Sequence, residues 1–486
     1  MKKMNFKYLL FAAAMLVGFA SCQNDEPNIG GDVVPNKNKT FASVRLVASS
    51  MNARAAGDNQ DPSVQSPGEN TISDATLYNF NANKTLEGTL SFTDQASALA
   101  GETFETTDGT HYFYLVINKP SSFPASIPVG TVMADFEKLL INITDLADIT
   151  TANSFYMTNV ATPGADVLAE WDGTGSAPAS NTIEISVGRG MAKVNVEFPS
   201  SATQPVSGVL SDVSYAVFNN PNQMFVMPVI RKAPLDFIGS LETPFFEDNS
   251  VVADPIDASD YFPYMDETAV KADLASITLN PTVVDTDSKA AATAKAVYAI
   301  ENSNRNPRFG NATFVLLQGT FKPSTVYDAT DAVDAGYAKS DDFWLLTYSV
   351  GTDKYNVFYS ADPAAIADDA IESRVTTLLA GADPGDIAAA VTAAQATKEV
   401  LAYGDGECFY GVWLADQSIG TDKAVDRFTV KRNNYYYIYI NDVSGVGSNE
   451  PGGVIPDPEK PIVTKVNISV KIDILNWTPI LQVTGI

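Results

Sequence analysis

The sequence predicts an all-β protein made of β-sandwich domains with only short helical decorations. Most of the chain consists of short runs rich in β-branched and aromatic residues, separated by polar turns, as in sandwich strands. Helical patterns are brief, with one at Ala134–Leu140 and another within Asp386–Leu401. The length of 486 residues is enough for two or more such domains.

The chain begins with the pattern of a secretory signal peptide. Three lysines precede an apolar run, Leu9–Ala20, which is too short to span a membrane as a helix. The run ends in Ala20-Ser21-Cys22, which is similar to a bacterial lipobox and predicts that Cys22 becomes lipidated after cleavage in front of it. The alternative is an ordinary signal peptide with an incidental cysteine.

A short first strand follows, in which Val44, Leu46 and Ala48 occupy alternate positions. It leads to Arg54, and from Ala55 onward the chain is small, polar and exposed in character, so Arg54 is accessible to an Arg-specific protease. Arg54 could instead be a plain surface arginine. Arg45 is the other candidate cut site, but it lies inside the predicted strand.

The last strand of the chain has the clearest alternation. Its apolar positions are Val466, Ile468, Val470, Ile472 and Ile474, with polar residues between them, as in a half-buried strand. The preceding segment, Gly445–Pro461, is rich in proline, glycine and acid, and predicts an extended, semi-stiff linker. Fifteen such residues could span up to about 50 Å. The strand either folds back onto its own sheet or is donated to another molecule, and the two ends of the chain together favour donation.

The middle of the chain contains one change of pattern and one composition seam. Within Thr182–Phe198 the apolar positions change parity at Gly188-Arg189-Gly190, which predicts a β-bulge. The seam is Pro199–Pro205. The predicted segments are a signal peptide at 1–21, a lipidated propeptide with the first strand at 22–54, an N-terminal sandwich at 55–199, a C-terminal sandwich with insertions at 206–444, a linker at 445–462 and a donor strand at 463–486.

Composition argues against several classes of function. A net charge of −27 repels nucleic acid and anionic membrane surfaces. A single histidine, His111, rules out histidine metal clusters, and no nucleotide-binding or zinc-protease motif occurs. If Cys22 carries lipid, Cys408 has no intrachain partner, and its apolar surroundings indicate a small buried side chain. We therefore expect no cofactor, no metal and no enzymatic activity.

Taken together, these features resemble the FimA/Mfa-type fimbrillins, in particular the major subunit type of the short (Mfa-type) fimbriae of Bacteroidales. The resemblance spans nearly the whole chain. It rests on the leader ending at Cys22, Ala53-Arg54-Ala55, Phe155-Tyr156-Met157-Thr158-Asn159, Val187–Val194, Thr313-Phe314-Val315-Leu316, Tyr410–Leu414, Lys431–Tyr436 and the terminal strand with Asn476-Trp477.

The resemblance implies two transthyretin-like β-sandwich domains and a mode of assembly. The precursor is exported as a lipoprotein to the outer membrane, and an Arg-specific protease cuts after Arg54. The first strand then leaves, and the C-terminal strand of a neighbouring copy fills the groove. Repetition builds a cell-surface fimbria (a type V-like pilus) that supports adhesion. The implied partners are copies of the chain itself, anchor and tip subunits, the protease and host surface ligands.

The residues make such an exchange physically reasonable. A missing strand exposes backbone donors and an apolar slot, and the incoming strand offers five large aliphatic side chains, worth about 7–15 kcal/mol before entropy costs. Two other functions remain open from sequence: a tip or accessory fimbrial subunit, and a surface glycan-binding lipoprotein. The first needs a groove but donates no strand, and the second would stay lipidated and monomeric.

Overall fold

The structure is a computed structural model that describes most, but not all, of the chain. The described residues are 38–46, 68–143, 145–159, 165–167, 170–221, 223–227, 229–231, 245–247, 296–302, 307–330, 332–338, 341–350, 353–363, 396–420, 427–455, 457, 460–462 and 468–476. Within them the chain is mostly β, with short helices α1 (Gln95–Ala100), α2 (Met133–Glu137) and α3 (Ala147–Thr150). None of the helices in these ranges has the length and apolarity needed to cross a membrane.

The first half of the chain folds as two sheets around one apolar core. Its strands are β1 (Lys39–Leu46), β2 (Ala75–Phe80), β3 (Leu86–Phe92), β4 (Glu102–Thr107), β5 (Gly109–Ile117), β6 (Leu140–Asn142), β7 (Met157–Thr158), β8 (Ala165–Val167), β9 (Thr182–Ile185) and β10 (Gly188–Arg189). One sheet has the order β4-β1-β9 and the other β10-β7-β5-β2-β3, with β8 on β5. Buried residues of both sheets, such as Val44 and Leu77, meet in the first core.

The second half repeats this arrangement with different sheets. Its strands are β11 (Met191–Glu197), β12 (Gly208–Phe218), β13 (Gln223–Phe225), β14 (Val229–Arg231), β15 (Phe245–Glu247), β16 (Val297–Ile300), β17 (Phe314–Pro323), β18 (Phe343–Val350), β19 (Asp353–Tyr359), β20 (Ala396–Tyr403), β21 (Glu407–Trp413), β22 (Asn434–Val443) and β23 (Ile468–Asn476). The sheets β16-β11-β22-β23 and β12-β17-β21 enclose a second core, and β19-β18-β20 adds to it. The remaining pairs are β13 with β6 and β14 with β15.

The first four residues of β17 are buried on both faces of the strand. Val315 and Leu317 point into the second core, whereas Phe314 and Leu316 belong to a third apolar cluster on the other side of the same sheet. This is the period-two alternation of a strand applied to two hydrophobic surroundings. The sheet β12-β17-β21 therefore needs a cover on its outer face.

The chain passes from the first core to the second at Gly188–Gly190. The bulge predicted there does not form, because β9, β10 and β11 are separate strands that pair in three different sheets. Gly190 lies so close to the ring of Tyr156 that a Cβ atom would fall 2.4 Å from Cδ1. Sheet membership thus changes ahead of the Pro199–Pro205 seam, since β11 pairs with β16 and β22 of the second sandwich.

The two predicted helices have different outcomes. The first is present as α2. The second is not seen as predicted: its C-terminal part, Ala396–Leu401, is in β20, which pairs antiparallel with β18 from Phe343 to Val350. The alanines that suggested a helix lie outside the described residues. The predicted helix is therefore wrong for Ala396–Leu401 and stays a prediction for the part before it.

Candidate functional site

The first strand of the chain occupies the middle of a sheet. β1 pairs antiparallel with β4, where Phe41 faces Glu105, and parallel with β9, where Val44 faces Ile183. A parallel neighbour cannot be reached by a tight turn. The chain returns from β1 through residues 47–67, which lie outside the described residues. Both edges of β1 are therefore paired with strands distant in sequence.

One face of β1 is buried in the first core. Ala42, Val44 and Leu46 are 0%, 1% and 5% exposed. Thr40 is also buried, and its hydroxyl oxygen accepts a hydrogen bond from the backbone N–H of Trp171 (3.0 Å). Val44 and Leu46 were predicted from the alternation, but Thr40 and Ala42 were not, because one is polar and the other small. Ala48 lies outside the described residues.

The opposite face of β1 carries exposed ion pairs. Lys39 Nζ lies 2.6 Å from Glu105 Oε1, and the Arg45 guanidinium pairs with Glu184, with both of these side chains half exposed. Exposed pairs of this kind contribute little to stability. Arg45 sits inside the β1–β9 ladder, opposite Glu184.

The predicted donor strand lies on its own sheet in the single chain. β23 pairs antiparallel with β22, with Ile472 facing Ile438, and it is the outer strand of β16-β11-β22-β23. Ile468 and Ile472 are buried in the second core, and Val470 packs against it. Ile474 lies in the strand opposite Tyr436, and Val466 lies outside the described residues. The structure thus shows the folded-back arrangement, which sequence analysis gave as the alternative to donation.

The predicted linker packs on the protein instead of extending from it. Val446 is buried in the second core, and Ile455 is buried in the third cluster with Val454 and Ile462 against it. The backbone N–H of Phe309 donates to Lys460 O (3.1 Å). This segment supplies the outer cover of the sheet β12-β17-β21. Its scattered valines and isoleucines indicate that the segment is buried, but its high content of proline, glycine and acid made it resemble an exposed linker.

Buried charges join the two sandwiches where the first core meets the second. Glu69 Oε1 lies 2.8 Å from Lys193 Nζ on β11 and accepts a hydrogen bond from the Tyr298 hydroxyl (2.8 Å). Burial lowers the pKa of Lys193 to about 8, although Glu69 opposes the shift. The Arg189 side chain donates from Nε to Glu69 O (3.2 Å) and also bonds Asn70, and burial lowers its pKa to about 10.

A second buried pair lies at the same junction. Arg432 Nε donates to Glu301 Oε2 (2.9 Å), and the Arg432 guanidinium also bonds the Phe225 and Val226 carbonyls of the segment that follows β12. Burial raises the pKa of Glu301, and the charge of Arg432 opposes the shift. Neither buried pair is predictable from the sequence, because each joins residues more than a hundred positions apart.

The two residues considered for chemistry are structural. His111 is fully buried between Asn79 Oδ1 and Thr107 O, each 2.8 Å from a ring nitrogen. Cys408 is fully buried, and burial raises the pKa of its thiol to about 11. The described part of the chain holds no group of His, Cys, Asp and Glu side chains arranged to bind a metal ion.

Comparison with known proteins gives one family match. Residues 401–482 match the family described as "Major fimbrial subunit protein type IV, Fimbrillin, C-terminal". No curated protein sequence matches. The matched range contains β21, β22 and β23, so it includes the outer strand pair of the second sandwich.

Solved structures that match this chain include three proteins of Porphyromonas gingivalis. A fimbrilin (FimA) is 14% identical, with 92% of this chain and 99% of that chain covered and a TM-score of 0.44. The tip fimbrial protein Mfa3, with a C-terminal truncation, is 13% identical. The match covers 90% of this chain and 99% of that chain, with a TM-score of 0.35. The fimbrial anchor protein Mfa2 is 15% identical. The match covers 40% of this chain and 65% of that chain, with a TM-score of 0.24.

The family match falls on β21, β22 and β23 of the second sandwich. The chain is thus fimbrillin-like over residues 401–482, which are similar to the C-terminal region of major fimbrial subunit proteins.

Proposed function

We propose that the chain is a shaft subunit of a cell-surface fimbria that is exported as a lipoprotein and polymerised by donor-strand exchange. Lipid on Cys22 holds the precursor at the outer membrane, and an Arg-specific protease cuts between Arg54 and Ala55. β1 then leaves the first sandwich. The C-terminal strand of another copy, with Val466, Ile468, Val470, Ile472 and Ile474 on one face, takes its place.

The position of β1 is the observation that carries the proposal. β1 is a middle strand of its sheet, yet its link to the rest of the folded chain runs through residues 47–67, which contain Arg54. A cut after Arg54 leaves β1 held by noncovalent contacts alone. Most strands of a sandwich are connected to the fold at both ends, so one cut in the backbone would not release them.

The vacated position fits an extended strand with alternating aliphatic residues. Loss of β1 leaves unpaired backbone groups on both β4 and β9, and it uncovers the core that Ala42, Val44 and Leu46 cover. A strand there gains two ladders, whereas within the described part of the chain β23 has one ladder with a strand, that with β22. The backbone term therefore favours exchange.

The side-chain term is smaller than the sequence suggests. Ile468 and Ile472 are already buried in the second core. Only the difference between the two sites counts, so the 7–15 kcal/mol for burying five aliphatic side chains overstates the gain. The rest of the favourable free energy comes from two sources. The released β1 is diluted into solution, and the incoming strand forms a second backbone ladder that β23 does not have among the described residues. A head-to-tail contact of this kind does not close on itself and extends into a fibre.

The place of Arg45 supports Arg54 as the cut site. Arg45 is hydrogen-bonded within the β1–β9 ladder and pairs with Glu184. A protease needs an extended, unpaired segment in its cleft. Arg54 lies outside the described residues, in a stretch whose small, polar sequence suits that requirement.

The proposed domains follow the two sandwiches. We assign 55–199 to the N-terminal domain and 206–444 to the C-terminal domain, with β11 as a strand that the first segment contributes to the second sandwich. Residues up to Ile462 contact the third cluster, so the five residues 463–467 join that cluster to β23. At roughly 3.3 Å per residue this spans about 17 Å, so subunits in a fibre lie close together.

The second candidate is a tip or accessory subunit that donates no strand. The pairing of β23 with β22 favours it, because a strand paired in its own sheet must leave that sheet before it can pair with a neighbour. In either role the chain would assemble with other fimbrial subunits and support contact with host surface ligands.

The test is the N-terminus of protein sheared from intact cells, read by mass spectrometry beside an unheated denaturing gel. A start at Ala55 with a ladder of multimers is expected of a shaft subunit. A lipidated start at Cys22 with a monomer band would refute the proposal. A chain truncated before Val463 should give no multimers, and polymerisation of that chain would refute strand donation.

A further inference from the structure

The outer edge of β23 is held by one side chain from a neighbouring turn. Gln417 Nε2 donates to Val470 O (3.0 Å), and its Oε1 accepts from Ile472 N–H (3.3 Å). The two bonds join one carboxamide to an acceptor and a donor two residues apart on one strand. A residue of a parallel neighbouring strand makes the same two contacts, with its own N–H as donor and its own C=O as acceptor.

These two backbone groups face away from β22. In an antiparallel pair, successive residues direct their N–H and C=O groups to opposite sides of the strand. Val470 and Ile472 bond Gln417, so Lys471 and Asp473, which stand opposite Tyr439 and Tyr437, direct theirs toward β22. Gln417 therefore stands where a third strand would pair.

The contact is made where the β22–β23 ladder is irregular. The register shifts between Ile440, which faces Val470, and Asp442, which faces Ser469. A bulge interrupts ladder hydrogen bonds and leaves the pairing locally weaker. Gln417 supplies hydrogen bonds on the far side of β23 at that point.

The turn that carries Gln417 is fixed in place. Asp416 N–H donates to Arg427 O (2.7 Å), and the Ser418 N–H and hydroxyl both donate to Asp416 Oδ1 (3.0 and 2.7 Å). Ile419 is 8% exposed and anchors the next position. The amide is thus held ready rather than recruited at an entropic cost.

We propose that Gln417 is a retaining residue that keeps β23 on its own domain, and that β23 must break its contact with Gln417 before it can be donated. The second half of this inference rests on the proposed function, but the first half concerns the monomer alone. Gln417 would delay strand release until a better-paired site is open, and would block edge-to-edge pairing at β23 meanwhile.

The test is hydrogen exchange on the uncleaved chain, in which β1 fills its slot. Gln417→Ala and the near-isosteric Gln417→Met are expected to speed exchange at the Lys471 and Asp473 amides by about three- to tenfold, as loss of two partly exposed hydrogen bonds implies. Gln318→Ala is the matched control, because Gln318 is a glutamine of the same domain whose side chain bonds Glu407 on β21 rather than β23.

The outcomes separate retention from donation. Unchanged exchange at Lys471 and Asp473 in Gln417→Ala would overturn the inference, as would full protection in Gln417→Met, which would assign the effect to packing. After cleavage, both variants should also polymerise faster than the parent chain. If exchange quickens but the chain truncated before Val463 still polymerises, retention by Gln417 holds and the proposed donor role fails.

Discussion

Glu69 and Lys193 form a fully buried ion pair that links the first sandwich to the second. The 2.8 Å contact joins side chains that are 1% and 0% exposed. Removing one partner from a buried pair leaves an uncompensated charge, which costs about 3–5 kcal/mol, whereas replacing both partners costs much less.

The first prediction follows from that asymmetry. Lys193→Met should lower the free energy of unfolding by about 3–5 kcal/mol, and Lys193→Met combined with Glu69→Gln should recover most of the loss. Denaturant unfolding measures both. Lys39→Met, at an ion pair whose lysine is 81% exposed, is the control and should leave the midpoint unchanged. Equal losses in the single and double variants would contradict this account.

The second prediction concerns the close approach of Gly190 to the Tyr156 ring, at the crossover Gly188–Gly190 where the chain passes from the first core to the second. Gly190→Ala places a Cβ atom 2.4 Å from Tyr156, whose ring is buried and whose hydroxyl donates to Val226 O (2.7 Å). The ring cannot move without breaking that bond, so we expect a loss of about 2–3 kcal/mol in thermal or denaturant unfolding. Gly88→Ala, on β3 with nothing within 4 Å, should be neutral. A neutral Gly190→Ala would show that the crossover can relax.

How far the sequence predicted these features depends on how local their cause is. The period-two strands were readable, because alternation is a local property: β5, β17, β22 and β23 lie where it indicates. The crossover at Gly188–Gly190 was recognised as a break in parity, but whether the strand bulges or changes sheet is decided by distant partners. The same holds for β20, where the ladder with β18 decides the conformation.

The site was predicted in part for the same reason. Val44 and Leu46 stood out by size, while Thr40 and Ala42 did not, although all four are buried in β1. The Glu69–Lys193 pair could not be predicted, because the residues next to Lys193 in the sequence do not indicate which distant acid it contacts. Whether β23 stays on β22 or leaves depends on the difference in binding free energy between two similar sites. The alternation of apolar residues in the strand carries no information about that difference.

The third prediction uses Cys408 as a reporter of unfolding and of pH. Burial raises the pKa of its thiol from 9.0 in the unfolded chain to about 11. A raised pKa means that the native chain holds this proton when the unfolded chain has lost it. The contribution to stability is therefore complete below pH 9 and is lost as pH rises toward 11. Stability of the parent chain relative to Cys408→Ala should fall across that window.

Two measurements check this. Denaturant unfolding of the parent and Cys408→Ala chains at pH 8, 9, 10 and 11 gives the difference directly. A thiol reagent at pH 8 should leave the folded protein, after removal of residues 1–54, unlabelled and should label it on unfolding, since Cys408 is 0% exposed. Rapid labelling of the folded protein would contradict the burial that this prediction rests on.

The fourth prediction locks β23 to β22. Tyr439 and Lys471 face each other in the ladder, and the Cα separation of such pairs suits a disulfide. The double variant Tyr439→Cys with Lys471→Cys should fold, remain monomeric after cleavage when oxidised, and form multimers once reductant is added. Each single variant is a control and should polymerise in both conditions. Multimers of the oxidised double variant would show that β23 need not leave its own sheet.

The fifth prediction decides between the two arginines by a matched pair of conservative changes. An Arg-specific protease does not cut after lysine, and both substitutions keep the positive charge. Arg54→Lys should therefore abolish cleavage, retain β1 in the first sandwich and leave the chain monomeric. Arg45→Lys should be cut and should polymerise as the parent does, because Arg45 is held in the β1–β9 ladder by its pairing with Glu184. Mass spectrometry of the N-terminus reads both variants. Persistence of cleavage in Arg54→Lys together with its loss in Arg45→Lys would mean that β1 opens before it is cut. Release of the strand would then precede proteolysis rather than follow it, and the order of steps proposed for assembly would be reversed.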